Sequence, residues 1–362
     1  MANEQFPAVL WGQADYVARM QSYLALLRPE SPPAVFSFPL AEDKPDGTRF
    51  AFGRFDDALA RLPRDVCFGV IFSDRYRPAA CEKIRTMGFS NLWEYTAQAD
   101  NVLKTVYFRK LFAQEGRPFF LLSELEDAHA EKPQEVRVYM AKCVFDKPMR
   151  NMPQTLSHYI TPIQVGAALC KERIADCTDD TGENISARNR RYSEMTAFYW
   201  MWKNDARADY LGLCHYRRHW KDIDRIAAKL RTTEVDAVLP LPTLAERSVF
   251  HDYLQKHIPA VWRPMMEVLR EQSPEYYHMA WTVFRRRVFY ASNMCIVRRA
   301  VLDDLCAWMF PVVMEIEHRV GDLADPYYNR YAGFVTERLI TLYFLYNKQH
   351  WRIAHAEKVF LS

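Results

Sequence analysis

A strand-like run, Asp209-Tyr210-Leu211-Gly212-Leu213-Cys214, leads straight into His215-Tyr216-Arg217-Arg218-His219-Trp220. In open α/β sheets, ligands sit beyond the carboxyl ends of the strands, which is where these cations fall. Arg217 and Arg218 can offer planar donor forks to phosphate oxygens, and His215 and His219 can donate hydrogen bonds or move protons. On spacing alone a second reading stands beside this one: a solvated loop with two arginines and its histidines packed nearby. Upstream, Asp179-Asp180-Thr181-Gly182-Glu183-Asn184-Ile185-Ser186 is dense in short polar side chains, as expected of a loop that hydrogen-bonds a ligand. After Asn189, Arg190 and Arg191, the stretch Tyr192 to Asn204 has helical length, with Ser193 as its expected N-cap. Lys203 then shares a face with Thr196 and Trp200, beside the polar loop; at least one of Trp200 and Trp202 is expected in the core.

Elements must hold these groups in place. At about 100–200 residues per domain, 362 residues allow two domains or one large one. Hydrophobic residues make up 49% and charged residues 26%, so the chain can bury a large core. The first third alternates short apolar runs (Ala8–Trp11, Ala34–Phe38, Val66–Phe72, Leu92–Tyr95) with helical stretches (Tyr16–Leu27, Phe55–Leu62, Ala79–Met87, Asn101–Gln114). Such alternation implies βαβ units around a parallel sheet. Gly12 stands where a dinucleotide fingerprint would open, but Ala14 and Val17 replace its other two glycines and no acid follows the second strand. A structural or docking module is therefore expected over 1–132, not a nicotinamide-binding one. The polar, proline-containing Glu124–Glu135 reads as the boundary. Residues 133–362 mix strand-like runs (Val136–Val144, Tyr210–His215, Ala237–Leu241, Asn293–Val297) with helical ones (Ser193–Lys203, Pro259–Glu271, Arg299–Val320, Phe334–Tyr346), predicting an α/β core with long helical insertions.

A formal charge of +3, left over from 48 basic and 45 acidic side chains, gives no global field for nucleic acid or an anionic membrane. An anionic ligand must be met locally. The eight cysteines show no paired zinc-type spacing and lie mostly in apolar runs, which predicts reduced thiols and a cytoplasmic chain. No run approaches the ~20 apolar residues of a membrane span, and Glu4 and Asp15 interrupt any signal-peptide core.

The series Asp180-x-Gly182-x-Asn184-Ile185-Ser186, Tyr192-x-Glu194-x-Thr196-Ala197-x-Tyr199-Trp200-x-Trp202-Lys203-Asn204 and Asp209-Tyr210-x-Gly212-Leu213-x-His215-Tyr216-Arg217-Arg218 resembles a bacterial glycosyltransferase family long filed as a domain of unknown function, DUF4422. Pro274-x-Tyr276-Tyr277, Asn293-Met294, Cys306-x-Trp308-x-Phe310 and Tyr331-Ala332-Gly333-Phe334-x-x-Glu337-Arg338-Leu339 continue in the family's order, so the resemblance runs from about Val136 to His355. It departs at His219, where the family usually has an aromatic directly after the two arginines. The first third lies outside it and more loosely resembles the small nucleotide-binding-like modules that precede sugar-modifying domains.

The resemblance implies a GT-A-like domain behind a degenerate Rossmann-like one. It further implies transfer of a sugar, galactofuranose in the family's recognised activity, from a UDP-linked donor to a glycan or lipid-linked glycan acceptor in capsule or O-antigen synthesis. Other assembly enzymes at the inner membrane face are the implied partners. The expected donor-binding set is Asp180, Asn184, Ser186, Asn189, Lys203, His215, Arg217, Arg218, Asn293 and Arg338. Charge building on the β-phosphate as the sugar bond lengthens must be met by cations. Here the arginines are expected in place of a metal, although the adjacent carboxylates of Asp179 and Asp180 are reasonable hard-cation ligands. The acceptor hydroxyl needs a base, for which Glu337 is the first candidate, with His215, His257, Asp322 and Asp325 as alternatives. An ion pair of Glu337 with Arg338 or Arg330 is the structural alternative. Two other classes remain: a silent nucleotide-sugar-binding or scaffold protein, separated by its failure to release UDP, and a carboxylate-pair glycosidase, which would not need the double arginine.

Overall fold

A computed structural model describes residues 6–38, 59, 61–147 and 155–361. The chain divides into two compact units, Met1–Pro118 and Phe119–Ser362. The first is built on a parallel sheet in the order β2-β1-β3-β4, from β1 (Val9–Gln13), β2 (Ala34–Phe38), β3 (Phe68–Ile71) and β4 (Leu92–Glu94). Helices Ala14–Leu27, Arg77–Thr86 and Ala97–Gln114 connect or follow the strands. Every residue of β1 and β3 is buried, as a parallel strand covered on both faces requires. Gly12 has a packing reason: a Cβ there would lie 1.9 Å from the Ile71 carbonyl oxygen. Gln13 then closes the end of the sheet by accepting the Ser73 N–H at 2.6 Å. Most of the expected helix Phe55–Leu62 lies outside the described residues.

In the second unit the sheet order is β14-β10-β13-β8-β5-β6-β7, with β9 pairing β8 and β15. These are β5 (Val136–Lys142), β6 (Ile160–Gln164), β7 (Cys177–Thr178), β8 (Tyr210–His215), β9 (Arg218–Trp220), β10 (Ala237–Pro240), β13 (Ile296–Arg298), β14 (Ile353–Ala356) and β15 (Lys358–Phe360); β11 (Thr243–Leu244) and β12 (Val288–Phe289) pair separately. Strands β5 to β8 along this path run parallel, while β13 is antiparallel to β8 and β10. All six residues of β8 are buried, matching its continuous apolar run. Gly212 is required there, since a Cβ would meet Ile296 at 2.7 Å on β13. Long helices, among them Pro259–Gln272, Arg299–Val320 and Tyr331–Tyr346, bury their apolar faces in one cluster with one side of this sheet.

The division between units falls before the expected 132/133. Leu122 is buried with Val136 and Ile226, Ala128 N–H donates to Thr232 O at 2.8 Å, and Lys132 N–H donates to Arg231 O at 3.0 Å. The polar segment 124–135 thus runs pinned along the helix Ile223–Thr232. Ser193 is not the cap of the next helix as expected. That helix is Met195–Asn204 with Glu194 at its N-cap, and Ser193 takes a left-handed φ of 51° instead.

Candidate functional site

Strands β5, β6 and β8 are parallel, so their carboxyl ends lie on one edge of the sheet, and the chemistry-bearing residues collect beyond β8. His215, the last residue of β8, is 9% exposed. Its Nε2 lies 2.6 Å from the carbonyl oxygen of Ser292. A carbonyl only accepts, so Nε2 carries the hydrogen and Nδ1 is the ring's acceptor. Burial lowers the imidazole pKa; Arg218 and Lys358 push the same way, and the Glu194 carboxylate opposes them. The ring is accordingly neutral at neutral pH.

Arg217 and Arg218 follow directly. Their guanidinium carbons lie 5.2 and 5.7 Å from the centre of the Phe360 ring, brought over by the β9–β15 pairing. Neither has a carboxylate partner among the described residues, and the Nε of Arg217 is buried with no hydrogen-bond partner.

Opposite His215 the backbone turns at Ser292 and Asn293, whose φ values of 83° and 50° place two successive non-glycine residues in the left-handed region. Each such residue costs on the order of 1–3 kcal/mol and persists only where its surroundings hold it. Here they do. Ser292 N–H donates to Glu337 Oε1 at 2.6 Å, and Lys358 Nζ donates to Ser292 Oγ at 3.0 Å. Asn293 Nδ2 donates to Glu194 Oε1 at 2.8 Å and to Gly333 O at 3.0 Å, leaving Asn293 Oδ1 buried and unpartnered.

Glu337 uses its second oxygen to accept from Arg338 Nη1 at 2.7 Å. Arg338 is 1% exposed and also donates to Asp252 Oδ2 at 3.2 Å. The structural alternative, an ion pair with Arg338, therefore forms, whereas Arg330 donates instead to Ser193 Oγ. His257 stands at the margin, its ring stacked on Phe334 at 4.0 Å. Burial, assisted by the Arg338 charge, brings its pKa down to about 4.

The fold thus brings together His215, Arg217, Arg218, Asn293, Glu337 and Arg338, with His257 one ring away. Sequence reasoning missed Glu194, Ser292 and Lys358. Glu194 stood inside the quoted Tyr192-x-Glu194 pattern, so a signal existed; Lys358 carried none. Also missed was Asp146, just past β5, whose carboxyl is raised by burial and lowered by the Cys143 N–H, Lys142 and His215.

The remaining candidates form a separate group that holds the β6 end. Asp179 is fully buried and accepts from Gly166 N–H at 2.9 Å, Ala167 N–H at 3.0 Å and the Ser186 hydroxyl. Asn184 closes its own turn through Gly182 O and Ser186 N–H. Asn189 donates to Ser193 O and Thr196 Oγ1 and lies so close to Gly166 that a Cβ there would meet its side chain at 2.8 Å. Lys203 sits at the far end of its helix, paired with Glu183 at 3.1 Å and 3.9 Å above the Trp202 ring. These side chains bond the protein itself.

The alternative of a cation held by Asp179 and Asp180 finds both carboxylates engaged. Asp179 is saturated by N–H and O–H donors, and Asp180 pairs with Arg173 at 2.9 Å. Among the described residues no three His, Cys, Asp or Glu side chains converge as a metal site. Asp322 pairs with Arg191, and Asp325 accepts the N–H groups of Tyr327 and Tyr328. His219 is buried against Tyr216 O. All eight cysteines are free, and no helix among the described residues is long and apolar enough to cross a membrane.

Comparison with solved structures finds a likeness to the apo structure of WbbM, described as a bifunctional glycosyltransferase. The identity is 23%, the TM-score 0.55, and the match covers 63% of this chain and 45% of that one. This supports a GT-A-like α/β fold, and the chain spans less than half the length of that protein. No curated protein matches. The family described as Domain of unknown function (DUF4422) matches residues 143–349, which contain Arg217 and Arg218, the Ser292–Asn293 turn and Glu337. More than half of the sequence lies within that match, and the chain belongs to this family.

Proposed function

We propose that the protein is a glycosyltransferase that moves a sugar from a UDP-linked donor to a cell-surface glycan acceptor, with galactofuranose as the sugar that the family resemblance implies. The observation that carries this is the Arg217–Arg218 pair, two guanidinium groups at a strand end with no carboxylate to balance them. Arg217 is half-buried and Arg218 exposed at its side, and a diphosphate offers both of them a balancing charge in a geometry that suits their forks. As the acceptor oxygen bonds to the anomeric carbon, the bond from that carbon to the β-phosphate oxygen breaks. The electron pair leaves with UDP, and the arginines stabilise it.

The proton of the attacking hydroxyl goes to a carboxylate. Glu194 suits this better than Glu337: it has one oxygen held by Asn293 and no cationic partner among the described residues, whereas both Glu337 oxygens are engaged. Glu337 and His215 act as positioning residues for the Ser292–Asn293 turn. No step is assigned to a metal, because the carboxylates of Asp179 and Asp180 are already occupied.

The test is a donor screen with purified protein and a lipid-linked glycan acceptor, reading released nucleotide. UDP release with one donor that depends on acceptor supports the reading. UDP binding without release from any donor would point to a silent nucleotide-sugar-binding protein.

A further inference from the structure

Beside the catalytic edge the surface carries a group of aromatic rings that the reading above does not use. Tyr327 and Tyr328 are 48% and 39% exposed, in the short turn that leads into the helix Tyr331–Tyr346. Their rings lie 5.5 Å apart, and Tyr327 also contacts Phe334 at 5.3 Å. Phe334 is backed by the His257 ring on one side and approached by the Arg330 guanidinium at 5.7 Å.

The charge beside these rings is not balanced: Arg330 donates to the neutral Ser193 Oγ at 2.9 Å, and the Tyr327 hydroxyl reaches only the Lys256 carbonyl at 3.5 Å. Arg330 has no carboxylate partner among the described residues, and His257 Nδ1 is buried with no hydrogen-bond partner. Asp325 fixes the turn by accepting the Tyr327 and Tyr328 N–H groups at 2.8 and 3.0 Å, so the two rings are presented from a rigid backbone. The group is continuous with the reaction site. Phe334 follows Gly333, whose carbonyl holds Asn293, and lies one helical turn before Glu337.

Flat rings edged by fixed donors and acceptors are what a sugar needs. One face of a hexose presents C–H groups that pack on an aromatic ring, while its hydroxyls require hydrogen-bond partners at the rim. We propose that Tyr327 and Tyr328, with Arg330 and His257 at their edge, form the subsite that receives a sugar ring of the glycan acceptor. The proposal rests on the glycosyltransferase reading for its occupant but not for its chemistry.

The experiment is saturation-transfer NMR on the full chain with methyl galactofuranoside, methyl galactopyranoside and the corresponding disaccharides, run beside calorimetry with UDP. Wild-type protein is expected to transfer saturation to the ring protons of at least one of these probes. Tyr327→Ala with Tyr328→Ala should lower that signal at least tenfold and leave UDP affinity unchanged, and Tyr327→Trp should retain it. Trp281→Ala, which removes an exposed aromatic on another helix, should have no effect. The subsite is overturned if no probe receives saturation, if the double variant binds like wild type, or if Trp281→Ala alone abolishes the signal. It is also overturned if the tyrosines are needed for binding phosphatidylglycerol vesicles and not for sugar. Absence of UDP binding with sugar binding intact would instead defeat the donor assignment and leave the subsite standing.

Discussion

The backbone N–H of Ser292 is held by the Glu337 carboxylate at 2.6 Å, although 45 positions separate them in the chain. Through this contact a charged group on the helix Tyr331–Tyr346 fixes a strained turn facing His215. Glu337→Gln keeps an oxygen for that N–H but removes the charge opposite Arg338, which retains Asp252. The expected outcome is a loss of roughly 1–3 kcal/mol in denaturant unfolding, with turnover per folded molecule lowered less than tenfold. A loss of a hundredfold or more in turnover without destabilisation would return the base assignment to Glu337.

Glu194→Gln should behave in the opposite way. A proton acceptor contributes about 10²–10⁴ in rate, so turnover should fall by that factor while UDP affinity and the melting temperature stay near wild type. Steady-state kinetics beside calorimetry checks both.

Arg217→Ala and Arg218→Ala should each weaken UDP binding by about ten- to a hundredfold, the range of a lost charge-assisted hydrogen bond of ~1.5–3 kcal/mol. Stability should change by no more than about 0.5 kcal/mol, because neither arginine has a carboxylate to lose. Unchanged affinity in both variants would remove the diphosphate from this site.

His257 has its folded-state pKa lowered from 6.5 to about 4. An unfolded chain therefore binds the extra proton first. The stability this neutral ring represents is complete above about pH 6.5 and drains away as pH falls toward 4. His215 and His219, both lowered chiefly by burial, act in the same direction. Urea unfolding at pH 7 and pH 5 should give a smaller difference for His257→Gln than for wild type; an equal difference would show that the ring does not carry it.

In the first unit, titration with nicotinamide and flavin cofactors should give no saturable signal. Gly12→Ala should destabilise the unit by at least ~1–3 kcal/mol, since the new methyl meets the Ile71 backbone. A micromolar cofactor affinity would refute the first expectation, and a wild-type melting profile the second.

What the sequence disclosed follows from how local each signal is. β8 and the helix Arg299–Val320 are read at their observed bounds because a buried strand and a long buried helix announce themselves in their own apolar runs. β6 was missed because Pro162 stands in its centre, where a ladder donor is lost, and β14 because Ile-Ala-His-Ala is short and mixed. The placement of Arg217 and Arg218 directly after a buried strand was legible from the run itself. The internal hydrogen bonds of the polar residues were not: that Asp179 accepts from Gly166 and Ala167, and that Asn184 and Asn189 bond within their own turns, follows only from the folded chain. Lys358 could not be foreseen, because only the pairing of β15 with β9 brings it to Ser292.

That last pairing has a consequence for biosynthesis. Trp220, His219 and Arg218 take Lys358, Val359 and Phe360 as their antiparallel neighbours, so the backbone carrying the arginines acquires its second strand only when the far end of this unit emerges from the ribosome. Segments complete themselves as they are translated, at about 5–20 residues per second. The nascent sheet can assemble from β5 through β8 well before then, while the backbone at Arg218 still lacks its β15 neighbour. A stalled or truncated chain ending short of Lys358 would thus be expected to fold much of its core while leaving Arg218, His219 and Trp220 without their antiparallel neighbour.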